Sequence, residues 1–300
     1  MLYLDFAQNR EDFILEKEEK YPYFIKRILY FLRKLIGQPI MEEMEGKRII
    51  IISKWNSKTI RKLDKIFEID VTKNICVCDR LRENQEFMNY LKEKNLNIID
   101  GKWLFQYLVC EIAQWICNHN GLAPEQQEIS ILANEVSFLL FETIQKLSLD
   151  FKNITVATKS PRKFDRLEKE IYEKNGLMLN VTNNFKNACT QSKIIFNFDF
   201  LEKDLSKIRI VPDAIIVNLE KYVEVKQSNF RGQNIDFYTV NLPIKYYKLY
   251  KRLNHFHSSI LYESFIYKKT AVQNIWKEIQ QDKVQIISLE SGVDKFYKKQ

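Results

Sequence analysis

Residues 128–160 read EISILANEVSFLLFETIQKLSLDFKNITVATKS, and the succession of patterns within them decides the fold. Ile129-Ser130-Ile131-Leu132-Ala133 is an apolar run of strand length. Asn134 is a residue type that caps helices, and Val136, Leu139, Leu140, Thr143, Ile144 and Leu147 then recur at the helical period, which predicts a helix with one apolar face. Ile154-Thr155-Val156-Ala157-Thr158 is a second strand. At Ser160-Pro161 the Ser suits an N-cap and the Pro a first helical turn, and Phe164, Leu167, Ile171 and Tyr172 carry an apolar face to the stop signal Asn175-Gly176. Leu177–Val181, Lys193–Phe200 and Ala214–Leu219 are further short apolar runs, as parallel strands covered on both faces require. The order βαβαβ follows, with Ile131 expected on the central strand and the topological switch beside Ile195.

Upstream, the same alternation recurs. Arg48–Ile52, Ile75–Cys78 and Asn97–Asp100 read as strands, with a helix from Ser57 through Phe67 and another over Asn84–Lys94, which predicts a smaller, mainly parallel α/β domain. From Trp103 a long helix carries Leu104, Tyr107, Leu108, Ile112, Trp115 and Ile116 to the stop at Asn118–Gly121. The expected division is residues 1–120, an N-terminal α/β domain with its connecting helix, and residues 121–300, a parallel-sheet domain with a C-terminal helical closing segment. Asp236–Val240 is expected as a last edge strand, and residues 243–281 as mostly helical, with the Tyr and Leu face of 246–266 packed back across the domains and the Lys and Arg face wet.

The first forty residues read as helical. Phe13 and Ile14 precede Tyr21-Pro22, and Phe24, Ile25, Ile28, Leu29, Phe31, Leu32 and Leu35 are then interspersed with Lys26, Arg27, Arg33 and Lys34. Basic amphipathic helices lie on membranes in some proteins. The commoner disposition turns the apolar face onto the domain and leaves the basic face solvated, and that is the expectation here.

The net charge of +8 is concentrated in the last sixty residues, which carry 11 Lys and Arg against 5 Asp and Glu. A local basic excess can bind something, so nucleic acid or an anionic surface stands as a reading of this tail, although nucleic acid is not the expected partner. The 5 cysteines show no Cys-x-x-Cys spacing, and buried free thiols in a reducing cytoplasm are expected. The N-terminus lacks the basic start and apolar centre of a signal peptide, and no apolar stretch reaches the ~18 residues of a transmembrane segment.

The string Ala157-Thr158-Lys159-Ser160-Pro161-Arg162-Lys163 and the strand end Phe196-Asn197-Phe198-Asp199 resemble the nucleotide-binding domain of the shikimate dehydrogenase and glutamyl-tRNA reductase group. The resemblance spans roughly residues 100–220. It implies an α/β chain with a Rossmann-like parallel sheet domain preceded by a smaller α/β domain and joined by a long helix. It also implies an NADP site in which the basic residue after the second strand meets the adenosine 2'-phosphate. Carried onto this chain, the candidate cofactor-binding residues are Asn134, Thr158, Lys159, Ser160, Arg162 and Asn197.

One departure weighs against that cofactor. Dinucleotide binding uses Gly-x-Gly-x-x-Gly after the first strand, so that the turn can adopt positive φ and the backbone can approach the pyrophosphate. Here the turn is Ala133-Asn134-Glu135-Val136-Ser137-Phe138, with no glycine and with a carboxylate at the helix entrance. Catalytic motifs are absent, and the alternate spacing of His255 and His257 has no adjacent acidic or Cys partner for a metal. The expectation is a degenerate Rossmann-like, non-catalytic module with no cofactor, binding a ligand, a protein partner or a second copy of itself. The alternative, which the resemblance implies, is an NAD(P)-dependent oxidoreductase of shikimate dehydrogenase-like type with an atypical phosphate-binding turn and NADP as its cofactor.

Overall fold

Both halves of the chain build an α/β sheet, and each sheet is mixed. A computed structural model describes residues 1–7, 12, 14–37, 39–69, 73–267, 271 and 274–291; Phe13 lies outside them. The chain divides into two units, Met1–Gly101 with Leu242–Ala271, and Lys102–Asn241 with Val272–Lys299.

In the first unit the elements are β1 (Leu2–Phe6), α1 (Tyr23–Ile36), β2 (Ile40–Met44), β3 (Lys47–Ile52), α2 (Ser57–Ile69), β4 (Asn74–Val77), α3 (Asp79–Arg82), α4 (Gln85–Glu93) and β5 (Asn97–Ile99). The sheet order is β2-β3-β1-β4-β5, parallel except for the β2–β3 hairpin. The hairpin turns on Glu45 and Gly46, both at positive φ (48° and 70°), the conformation a two-residue turn between twisted strands needs. Neither β1 nor β2 is a strand that the sequence pattern predicts. β1 is the central strand, with Leu2, Tyr3 and Leu4 fully buried, whereas the sequence suggested helix throughout the first forty residues. Its five-residue length is too short for periodicity to separate strand from helix, and its pairing with β3 and β4 decides.

Residues 242–271 complete this unit with α10 (Tyr247–Arg252) and α11 (Ser258–Ile266). Every residue from Ser259 to Ile266 is buried, and Tyr3 Oη lies 2.9 Å from Ser264 Oγ, so α11 covers the sheet. Lys245, Lys248 and Lys251 are exposed, as expected of the wet face, but Arg252 is not: it turns in to pair with the buried Glu42 at 2.8 Å. The apolar side of 246–266 thus serves the sheet of residues 1–101, the unit to which this segment belongs.

The second unit contains α5 (Lys102–Tyr107), α6 (Val109–Asn120), β6 (Glu128–Leu132), α7 (Phe138–Asp150), β7 (Asn153–Ala157), α8 (Asp165–Asn175), β8 (Asn180–Thr182), β9 (Ile194–Asn197), α9 (Glu202–Leu205), β10 (Ile215–Asn218), β11 (Gln233–Val240), α12 (Ile275–Gln281) and β12 (Ile286–Ser291). The order β12-β11-β10-β9-β6-β7-β8 is parallel from β11 to β8, with β12 antiparallel at the edge. Counted from β6, this is the 3-2-1-4-5-6 arrangement of the Rossmann fold with one strand added. The switch lies between β6 and β9, as the sequence predicts. β11 is interior, because β12 takes the edge.

The long Trp103 helix is two helices. It breaks at Leu108, whose N–H bonds to Phe105 O at 3.2 Å. Both pieces lie in the second unit, not in the first as a division at residue 120 assumed. Phe105 stacks on Tyr238 of β11 at 4.8 Å between centroids, and Trp276 Nε1 donates to Tyr107 O at 2.9 Å. Aromatic burial against the seven-stranded sheet therefore decides where these helices belong. The aromatics of these helices form packing seams. The core around β9 and β10 gathers Leu132, Ala157, Ile195, Phe200, Ile208 and Ile216, all essentially buried.

α1 also departs from expectation. None of its residues is buried, and Phe24, Phe31 and Leu35 are 64%, 54% and 83% exposed. The side that faces inward carries the half-buried Ile25 and Leu29 beside Arg33, which forms a two-pronged ion pair with the buried Glu18 at 2.6 and 2.7 Å.

Candidate functional site

In a Rossmann sheet ligands bind outside the carboxyl ends of the strands at the switch point, here between the ends of β6 and β9. β6 ends at Leu132, opposite Asn197 of β9. Ala133 N–H still bonds to Ala157 O at 3.1 Å, and Phe198 N–H to Leu132 O at 2.9 Å. These extensions of the ladders set Asn134 and Asp199 facing each other across the crevice.

Asn134 does not cap the following helix. That role falls to Ser137, whose Oγ accepts from Leu140 N–H at 3.1 Å, and α7 starts at Phe138. Four residues, Ala133 to Val136, therefore separate strand from helix cap, and the N–H groups of Asn134 and Glu135 point into the crevice. The Asp199 carboxylate occupies them. It accepts from Asn134 N–H at 2.9 and 2.8 Å through its two oxygens, from Asn134 Nδ2 at 3.0 Å and from Glu135 N–H at 3.1 Å. Consecutive N–H groups of this kind form an anion-binding nest. In this chain the anion is its own.

The other candidate residues surround this contact. Asn134 Oδ1 accepts from Lys159 N–H at 3.1 Å, tying the β6 turn to the β7 turn. Thr158 is fully buried, and its Oγ1 accepts from Ser160 N–H at 3.3 Å. Ser160 caps nothing with its side chain; a single 3₁₀ turn, Pro161–Phe164, intervenes before α8, and Arg162 is exposed on it. Lys159 Nζ pairs with Asp204 at 2.8 Å. Burial opposes ionisation of Asp204, but the hydrogen bonds from Lys159 and from Leu201 N–H prevail and hold its pKa below the usual carboxylate range. Lys163 reaches Glu135 at 2.7 Å.

Asn197 is buried and structural in its contacts. Its Oδ1 accepts from Phe200 N–H at 2.8 Å, and its Nδ2 donates to Phe200 O and to Asn218 Oδ1, at 3.1 and 2.9 Å. Asn218 Nδ2 continues to Asn234 Oδ1 at 2.6 Å. An asparagine thus closes the carboxyl end of β9 and of β10, and each satisfies loop backbone that would otherwise be left unpaired.

Asp199 is not among the six candidates Asn134, Thr158, Lys159, Ser160, Arg162 and Asn197; in the sequence it stands only as the end of the string Phe196-Asn197-Phe198-Asp199. The available signal was positional: an acidic residue two places beyond the end of the strand next to β6 stands opposite the phosphate turn in this topology. Cys189 is buried behind the strands, and burial pushes its thiol up to about 12. His255 and His257 lie in the first unit and turn to different partners. His255 Nδ1 lies 3.2 Å from Asp5 Oδ1, and His257 Nδ1 lies 2.8 Å from Ser259 Oγ. Among the described residues no group of three or more His, Cys, Asp or Glu could hold a metal ion.

No family model matches the chain, and no curated protein matches it. Solved structures do. The iminosuccinate reductase of Paracoccus denitrificans, in complex with NAD+, is similar at 12% identity over 41% of this chain, with a TM-score of 0.28. The D-mandelate dehydrogenase of Rhodotorula graminis is similar at 10% identity over 52% of the chain, also with a TM-score of 0.28. The ornithine transcarbamoylase of Giardia lamblia is similar at 10% identity over 90% of this chain and 86% of its own, with a TM-score of 0.33. The chain spans 38% and 53% of the lengths of the first two. The fold is established by the strand order, a two-domain α/β architecture with a Rossmann sheet, and not by membership of the shikimate dehydrogenase group.

Proposed function

We propose that the chain is a Rossmann-type binding module that has given up dinucleotide chemistry. One observation carries this reading: Asp199 fills the phosphate turn of the second unit and uses its donors. A pyrophosphate entering the crevice would have to displace a carboxylate from its N–H partners and then lie beside that displaced charge and beside Glu135. Both effects oppose it, since the positive end of the turn is already neutralised. Asn134 adds a β-carbon and a carboxamide where glycine would leave room. Lys159, the residue that would meet a 2'-phosphate, is committed to Asp204.

A protein partner or a second copy of the chain is the ligand class this reading favours, in a cytoplasmic setting where the thiols stay reduced. The test is titration of the whole protein with NAD(H) and NADP(H), read by intrinsic Trp fluorescence and by melting temperature. No change at millimolar dinucleotide is expected. The triple variant Asn134→Gly, Glu135→Gly and Asp199→Ala removes the obstacles together and should gain measurable affinity if it folds. Tight NADP binding by the unaltered protein, lost on Lys159→Ala, restores the oxidoreductase alternative and overturns the proposal.

A further inference from the structure

Helix α1 (Tyr23–Ile36, YFIKRILYFLRKLI) belongs to the first unit and contains no acidic residue. At 100° per residue, Phe24, Ile28, Phe31 and Leu35 line the centre of one arc, which the structure turns outward; Leu32 flanks it and is half exposed. Arg27 and Lys34 border the same arc on its other side, and both are exposed. The Arg27 guanidinium lies 5.9 Å from the centroid of the Phe31 ring, and Lys34 Nζ donates to Tyr30 Oη at 3.0 Å. The helix is fastened by its opposite edge, through the ion pair of Arg33 with Glu18. Its C-terminus is closed by Gly37, at φ 62°.

A contiguous outward apolar arc of this kind is uncommon on a soluble surface and marks a docking face. The charges choose among its occupants. A second copy of the helix would bring Arg27 and Lys34 against the same cations, with no carboxylate on α1 to pair them. An anionic lipid surface matches both features at once: the arc enters the boundary of the acyl chains while the flanking cations stay at the level of the phosphates. We infer that α1 is an interfacial helix that seats the protein on an anionic membrane, lying in the plane of the surface. Spanning is not involved, since no described helix is long and apolar enough to cross a bilayer. The inference stands independently of what the second unit binds.

The whole protein is tested by flotation with neutral phosphatidylcholine vesicles and with vesicles containing roughly 30% phosphatidylglycerol. Binding should be at least about tenfold stronger to the anionic vesicles and should weaken as salt is raised. The pair Phe31→Glu with Leu35→Glu should reduce that binding by about tenfold or more while the circular dichroism and melting temperature stay those of the unaltered protein, because both positions are exposed. The pair Arg27→Glu with Lys34→Glu leaves the apolar arc intact and should abolish the preference for anionic lipid. Failure of the unaltered protein to bind anionic vesicles overturns the inference, as does binding that survives the Phe31 and Leu35 pair. A solution dimer dissolved by that pair, without vesicle binding, assigns the face to self-association instead and equally overturns it.

Discussion

Asp199 is the residue on which the reading of the second unit turns, and its contribution can be measured. Its carboxylate takes two backbone N–H groups and one side-chain amide, and hydrogen bonds to a charged acceptor contribute about 1.5–3 kcal/mol net. Asp199→Ala should therefore lower the unfolding free energy by about 1–3 kcal/mol in urea titration, with Asp199→Asn in between. A variant as stable as the parent would mean that water replaces the carboxylate at no cost and that the turn is open to ligands. His255 yields a dependence on pH. The hydrogen bond to Asp5 is the largest influence and raises its pKa; burial opposes, the charges of Asp5 and Asp12 assist, and Arg252 opposes. The fold therefore favours the protonated ring. Its contribution is complete below the unfolded value of 6.5 and is lost as the pH rises through the higher folded value. Stability should decline across that interval, and His255→Gln should flatten the decline.

At the scale of elements, α1 and α11 make an instructive pair, because both are rich in apolar residues and only one is covered. Leu261 of α11 is fully buried, and Leu261→Ala should cost about 2–5 kcal/mol through lost burial and the cavity left behind. Leu35 of α1 is 83% exposed, and Leu35→Ala should change stability by no more than about 0.5 kcal/mol. Chemical denaturation of the two variants side by side checks this, and a large loss at Leu35 would show that α1 has a covered face in solution. The entrance to β11 supplies a sharper case. A β-carbon on Gly232 would fall on the backbone carbonyl of Ala214, just before β10, so Gly232→Ala must push β11 away from its partner strand. That variant should be severely destabilised or insoluble, whereas Gly46→Ala, with open space around it, pays only for its positive φ.

The whole molecule is not two consecutive beads. Residues 242–271 return to the first unit, and the chain then supplies α12 and β12 to the second. A fragment ending at Gly101 lacks α11, whose buried face covers β4 and β5. It would expose strands such as Ile75–Val77, which are fully buried in the complete protein. Residues 1–101 alone should accordingly be aggregated or lack a cooperative melt, while the full chain unfolds as a folded protein does. A soluble, cooperatively melting fragment would contradict this account.

Much of this architecture was legible along the chain. Consecutive apolar runs such as Ile129–Ala133 and Ile154–Thr158, spaced by helical periodicity, encode a parallel α/β sheet because local burial on both strand faces leaves a continuous apolar signal. From that pattern followed the switch beside Ile195, and the missing glycines already argued against close approach of a pyrophosphate; the strand of Ile131, expected to be central, is interior but one place from the middle, which β9 holds because β11 and β12 extend the far side. What periodicity cannot carry is pairing between distant segments. β1 reads as an ambiguous five-residue run until β3 and β4 flank it, and α10 and α11 follow the second unit in sequence yet complete the first. Asp199 is a partial case: its place two residues beyond the strand beside the switch is a signal in the sequence, but its direct contact with Asn134 depends on the register of β9 against β6. The outward arc of α1 is the strictest example. An amphipathic helix announces two faces, and which part of them meets solvent is settled by what the fold packs against it in three dimensions, here Glu18 on Arg33 beside the half-buried Ile25 and Leu29.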